Sequence, residues 1–260
     1  MIHAALKQAL RHDRWLVLLA LLAISALALG YTAWLATGFD MSAMMAPQFV
    51  PWSAGHFAFM AAMWIVMMVG MMTPSVAPMV LIYAGIARQA SARETPFASA
   101  GWFASGYLVA WVAFALVATL AQWWLESRAL IAPMMAGAGH VAGGAVLILA
   151  GVYQWLPVKR ACLIECSAPL AFVQRHGGFA PSAHGSVRLG VLHGLYCIGC
   201  CWVLMALLFV FGVMNLVWIA GLMMYVLLEK LLPNAGAVSR IAGVAAIVAG
   251  IWMCTGGGQT

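Results

Sequence analysis

Five of the six cysteines lie between residues 162 and 201, close to a histidine. If residues 187–211 form a helix, the 3.6-residue period places one imidazole and three thiols on a single face. These residues are His193, Cys197, Cys200 and Cys201, and Cys162 and Cys166 lie in the hydrophilic loop before them. Thiolate and imidazole groups are the ligands of soft or borderline ions such as Cu(I) and Zn(II). The spacing therefore predicts a metal site.

Methionine supplies a second set of soft donors, with 18 in the chain. Four of them fall on one face of a helix predicted over 56–87, namely Met60, Met63, Met67 and Met71. Three more, Met41, Met44 and Met45, lie in the segment 38–55 that precedes this helix. Thioethers bind Cu(I) without losing a proton, so we expect these groups to favour copper. Packing is the alternative for the four in the helix, because methionine also fills cores.

The composition excludes a water-soluble protein. Hydrophobic residues make up 66% of the chain and charged residues only 7%, whereas about a quarter of a typical globular chain is charged. Several apolar runs exceed the ~20 residues that cross a bilayer. Helices are expected throughout, since backbone amides in lipid must bond within their own segment. The net charge of +6 does not indicate nucleic-acid binding, because the basic residues are scattered between the apolar runs.

We therefore predict an all-α, polytopic helix bundle that forms one membrane domain over residues 1–260. Seven spans are predicted, near 15–37, 56–87, 97–124, 137–156, 187–211, 213–231 and 238–254. The fifth and sixth meet with almost no loop, so six spans with one broken helix is the competing count. Pro74 and Pro78 are expected to break or kink the second span. Gly144 and Gly151 share a face of the fourth span and predict close helix packing.

The basic residues indicate the orientation of these spans. With the N-terminus inside, eleven of the twelve Lys and Arg residues lie on the cytoplasmic side and only Arg128 lies outside. The cysteines between 162 and 201 then face a reducing compartment, where lasting disulfides are rare. Spans two and five would run in opposite directions, and they must be neighbours if the two sets of sulfur atoms are to meet. Residues 63–67 resemble residues 201–205, which hints at such a pairing.

The sulfur donors then form a gradient from outside to inside. Methionines 41, 44 and 45 would capture the ion on the outer surface, where exposed methionines have no core to fill. The methionines of span two would relay it to the thiols and His193. Cys162 and Cys166 would be the exit. This order predicts that copper moves inward, or that it is held for delivery to a partner such as a copper chaperone or a cuproprotein.

Three motifs in order support a metal role. They are Met63-Trp64 with residues 71–75, the loop segment 162–169, and residues 194–202 with 212–215. The combination resembles a bacterial family of predicted metal-binding integral membrane proteins, over roughly residues 55–235. The resemblance implies metal binding and a location in the bacterial inner membrane. It implies no substrate and no catalytic residue, so the choice of copper rests on the softness of the donors.

The leading hypothesis is a Cu(I)-binding membrane protein that acts in copper transport or delivery and is not an enzyme, with Zn(II) as a competing ion. The chain has no GxxxxGK[ST] phosphate loop, so flux would be downhill or ion-coupled. A first alternative is a membrane thiol–disulfide carrier that uses the Cys197–Cys200 pair. A second is a structural scaffold in which cysteine and methionine only pack.

Overall fold

The structure is a computed structural model that describes residues 19, 22–23, 25–34, 52–92, 99–128, 140–179, 181–213, 215–232 and 234–255. Regular structure in these ranges is helical, which confirms the predicted all-α class for this part of the chain. A helical stretch over 25–34 comes first. The helices that follow are α1 (Ala54–Ala92), α2 (Ala100–Ser127), α3 (His140–Tyr153), α4 (Pro157–Ser167), α5 (Pro169–Arg175), α6 (Ala183–Ala206), α7 (Leu208–Phe211), α8 (Leu216–Leu231) and α9 (Ala235–Cys254).

Four stretches among the described residues are long and apolar enough to cross a membrane. They are Ala54–Ala90, Ala100–Ser127, Ala183–Phe211 and Ala235–Cys254. A fifth is reached if Val141–Tyr153 and Pro157–Ser167, which meet at 65°, form one bent span. The predicted count of seven is thus not reached in this part of the chain. Helix α8 has 16 residues, or about 24 Å, and 10 of the 23 residues of the predicted first span lie outside the described residues.

Helix α1 is continuous from Ala54 to Ala92 although Pro74 and Pro78 lie inside it. Of the break or kink predicted near these prolines, the break is therefore wrong, and the kink stays a prediction. Side-chain hydroxyls bond to main-chain carbonyls in the adjoining turns, as often happens around prolines in membrane helices. Thr73 Oγ1 donates to the Val69 carbonyl at 2.6 Å, and Ser75 Oγ donates to the Met72 carbonyl at 2.8 Å.

The predicted hydrophilic loop 157–186 is helical over much of its length. Two of its three prolines, Pro157 and Pro169, occupy the first turns of α4 and α5. Proline suits the first turn of a helix, because the amide it lacks would have no partner there. At these two positions proline therefore marks the start of a helix, and α4 packs against α6.

Helix α2 packs against both α1 and α6. Trp64 of α1 donates to Gln122 of α2 at 2.6 Å, while Tyr83 stacks on Phe103 at 4.7 Å near the opposite ends of the two helices. Helices α1 and α2 therefore run antiparallel. Helices α2 and α6 approach at glycines, because a Cβ added to Gly194 would lie 2.6 Å from the Ala110 Cβ. Both predicted sulfur-bearing spans, α1 and α6, therefore pack against α2.

The glycines of the fourth predicted span permit close packing, as predicted. A Cβ added to Gly144 would lie 2.6 Å from the Gly250 carbonyl oxygen on α9. A Cβ added to Gly151 would lie 2.6 Å from the Gly243 carbonyl oxygen. Small residues that let two backbones approach are a common basis of helix association in membranes.

We expect Gly151→Ala to lower the free energy of unfolding by about 1–3 kcal/mol, because the new methyl group would overlap α9. Thermal unfolding in detergent measures this change. Gly221→Ala is the matched control, since Gly221 is an exposed residue of α8 with no atom within 4 Å of an added Cβ. Equal melting temperatures for the two variants would contradict the assignment of a tight α3–α9 contact.

Candidate metal centre

The predicted thiols lie together in the interior. Four cysteines are between 0% and 6% exposed, namely Cys166, Cys197, Cys200 and Cys201. They belong to one hydrophobic core together with the methionines of α1. None of the six cysteines forms a disulfide in the structure. The thiols therefore face the interior of the helix bundle, in the same core as the thioethers.

Cys197 is the centre of this group. Its sulfur lies 2.8 Å from Lys230 Nζ and 3.2 Å from the Tyr107 hydroxyl. The thiols of Cys200 and Cys201 donate to the Cys197 carbonyl oxygen, each at 3.0 Å. The Cys166 side chain also lies beside Cys197 and Cys200. We call Cys166, Cys197, Cys200 and Cys201 the thiol cluster.

Cys162 lies at the edge of the thiol cluster. It is half-buried and sits where α4 meets α6, because a Cβ added to Gly199 would lie 2.8 Å from the Cys162 sulfur. A larger residue at position 199 would therefore displace the Cys162 side chain. The structure thus brings all five predicted inner cysteines into one region, with Cys162 the most accessible of them.

His193 lies one helical turn before Cys197. Its ring is 2% exposed and packs near Phe172, Tyr107 and Phe103, with centroid distances of 4.9, 6.0 and 5.8 Å. Its Nδ1 atom is buried and has no hydrogen-bond partner among the described residues. A buried imidazole nitrogen without a partner is costly. This nitrogen is therefore free to bind a metal ion.

The predicted methionine stripe is buried. Its four residues, Met60, Met63, Met67 and Met71, are between 0% and 3% exposed. Tyr107, which contacts Cys197, also donates a hydrogen bond of 3.2 Å to the Met72 carbonyl, next to Met71 at one end of the stripe. The outer methionines Met41, Met44 and Met45 lie outside the described residues, so their role remains a prediction.

Polar side chains that were not predicted from the sequence surround Cys197. Lys230 and Ser75 lie on different helices, and Lys230 Nζ donates to Ser75 Oγ at 3.1 Å. Ser75 Oγ in turn lies 3.1 Å from the Tyr107 hydroxyl. One feature of the sequence could have indicated this group, namely a lysine within a strongly apolar segment. A charged residue inside a membrane usually has a functional partner.

Glu229 and Lys230 are neighbours in sequence but have separate partners. Glu229 forms a buried ion pair of 2.6 Å with Lys159 of α4. It also accepts hydrogen bonds from Tyr225 at 3.0 Å and from Ser239 at 2.5 Å. These contacts connect α4, α8 and α9 beside the thiol cluster.

The donor set fits a soft ion, although its ligands are not yet gathered around one point. No three His, Cys, Asp or Glu side chains in the described part of the chain are placed to hold a metal ion together. The thiols do not converge because those of Cys200 and Cys201 point at the Cys197 carbonyl. Rotation of these side chains would be needed to bring sulfur atoms to a common ion.

Comparison with known proteins identifies the family. No curated protein and no solved structure matches the chain. A family model does match, over residues 61–253, and its family is PpoB2, described as copper chaperone. The matched range includes the methionine stripe from Met63 onward, the thiol cluster and Lys230. The chain therefore belongs to the PpoB2 copper chaperone family.

Proposed function

We propose that the protein binds Cu(I) within the bacterial inner membrane and carries or delivers it to a partner protein. The observation that supports this proposal most directly is the burial of the thiol cluster and the methionine stripe in one core. Soft sulfur donors suit Cu(I), and a neutral thioether holds the ion less tightly than a thiolate does. Passage from methionine to cysteine is therefore downhill in free energy.

Release requires a thiol that a partner can reach. Cys162 is half-buried at the contact between α4 and α6, and Cys166 follows it by one turn of α4 inside the thiol cluster. A partner thiol could replace these ligands one at a time, so that copper is never released as a free ion. We propose this route for delivery to a copper chaperone or a cuproprotein.

The test of the proposal is copper retention by the purified, fully reduced protein. We expect the wild-type protein to keep Cu(I) through gel filtration and the variant with serine at positions 166, 197, 200 and 201 to lose it. Cys254→Ser is the control, because Cys254 is exposed at the end of α9. Equal copper retention by the wild type and the four-serine variant would refute the proposal.

The methionine stripe allows a separate prediction about the path. Leucine at positions 60, 63, 67 and 71 keeps a similar side-chain volume, so we expect the fold to survive. Copper should reach the thiol cluster at least about tenfold more slowly, a loss typical of removed supporting contacts at metal sites. The rate is measured in proteoliposomes with Ag(I) in place of Cu(I). The arrival of Ag(I) is detected because bound Ag(I) protects the thiols from alkylation. An unchanged rate would mean that the stripe only packs.

A thiol–disulfide carrier is the second candidate, because the Lys230 ammonium beside Cys197 favours the thiolate, which is the nucleophile in thiol exchange. Counting free thiols in cells with mass tags, with and without reductant supply, separates the two functions. A copper site should stay reduced under both conditions. A carrier should show a mixed population of dithiol and disulfide at Cys197 and Cys200.

A further inference from the structure

Lys230 is a buried cation whose closest polar partners are uncharged side chains or thiols. Its Nζ contacts the Cys197 sulfur at 2.8 Å and Ser75 Oγ at 3.1 Å. The three described carboxylates have other partners. Glu229 pairs with Lys159 and Glu165 pairs with Arg175, while Glu126 accepts hydrogen bonds from Trp52 and Gln122. No described carboxylate is therefore paired with Lys230.

A buried ammonium needs a negative partner, because removing a charge from water is costly unless it is compensated. The neighbouring lysine shows how this chain meets the requirement, since Lys159 has Glu229 at 2.6 Å. Lys230 has no such carboxylate, and the Cys197 sulfur lies 2.8 Å from its Nζ instead. The sulfur therefore takes the role that the Glu229 carboxylate has for Lys159, as the negative partner of the ammonium.

The charge of a metal-loaded thiol cluster follows from simple counting. A soft monovalent ion held by two thiolates forms a complex with one negative charge. The Lys230 ammonium cancels this charge. A divalent ion held by the same two thiolates is already neutral, so the ammonium would leave one positive charge uncompensated in a medium of low polarity, where such a charge is strongly unfavourable.

We propose that Lys230 is the counter-ion of a two-thiolate complex centred on Cys197 and that it makes the site selective for monovalent soft cations, Cu(I) and Ag(I). This inference rests on the proposed function, since it assumes that the thiol cluster binds a soft ion. It adds a specificity-determining residue that does not itself bind the metal. Lys230 acts on the ion only through its charge.

The test compares two ions that favour the same linear, two-sulfur coordination but differ by one charge, Ag(I) and Hg(II). Affinities are measured by competition titration of the full chain in detergent, in a Cys254→Ser background that removes the exposed thiol. In Lys230→Leu, we expect the Ag(I) affinity to fall by about 30-fold or more, the size of effect seen when one partner of a buried charge pair is truncated. The Hg(II) affinity should be unchanged or higher.

Lys230→Arg keeps the positive charge, and we expect it to retain most of the Ag(I) affinity. If Lys230→Leu does not elute as a folded protein, Lys230→Gln replaces it, because the amide can still donate to Ser75. Equal losses for Ag(I) and Hg(II) would overturn the proposal, since a structural role affects both ions alike. Unchanged affinities for both ions would overturn it as well.

The failure of the proposed function is distinguishable from the failure of this inference. If the wild-type protein binds neither Ag(I) nor Cu(I), the thiol cluster is not a soft-metal site and both proposals are wrong. If the wild type binds both and the Lys230 variants show no charge-dependent change, only the role of Lys230 is wrong.

Discussion

Replacing Cys197 with serine should lower the affinity for Cu(I) by about 100-fold or more. Loss of a supporting residue at a metal site typically costs ~10–100-fold, and Cys197 is proposed to be a ligand itself. Lys230, Tyr107 and the other thiols of the cluster all contact this residue. Competition with a colorimetric Cu(I) chelator, under full reduction, measures the affinity.

Serine is chosen because it keeps the size of the side chain and a polar partner for Lys230, so the loss should come from the missing sulfur. Cys254→Ser provides the matched control at an exposed position far along the chain. We expect its affinity to equal that of the wild type. A Cys197→Ser protein that binds Cu(I) as tightly as the control would show that the ion is held elsewhere.

Replacing Glu229 with alanine should cost about 3–5 kcal/mol of folding free energy, because it would leave the Lys159 ammonium buried without its carboxylate. Both side chains are 1% exposed and lie 2.6 Å apart. The same carboxylate accepts hydrogen bonds from Tyr225 and Ser239. Unfolding in detergent with increasing denaturant measures the change in stability.

Two variants test whether the buried charge is the cause. Glu165→Gln breaks the Arg175–Glu165 pair, in which the Arg175 side chain is 52% exposed, and we expect a cost of about 0–1 kcal/mol. A double variant with Lys159→Met and Glu229→Leu removes both charges and should recover much of the lost stability. A double variant as unstable as Glu229→Ala would contradict this explanation.

The site residues that could be predicted from sequence are those that share a helix. The 3.6-residue period alone places His193 with Cys197, Cys200 and Cys201, and it aligns the four methionines of α1. The close packing of Gly144 and Gly151 was also predictable, because small residues at such spacing have few other uses in a membrane helix.

The contacts between helices could not be predicted. Lys230 meets Cys197 only because α6 and α8 bring together residues 33 positions apart, and Ser75 reaches the same point from α1. Neither partner is indicated by local spacing. The seven-span prediction depended on hydropathy, which does not show that α8 has only 16 helical residues or that α4 and α5 are helical.

The most direct test of the central claim, that Cu(I) is bound by sulfur inside the helix bundle, is X-ray absorption at the copper edge of the reduced, copper-loaded protein. We expect Cu(I) with sulfur neighbours in the wild type and in Cys254→Ser, and loss of this sulfur shell when positions 166, 197, 200 and 201 are serine. Copper surrounded only by nitrogen and oxygen in the wild type, or a sulfur shell unchanged in the four-serine variant, would contradict the claim.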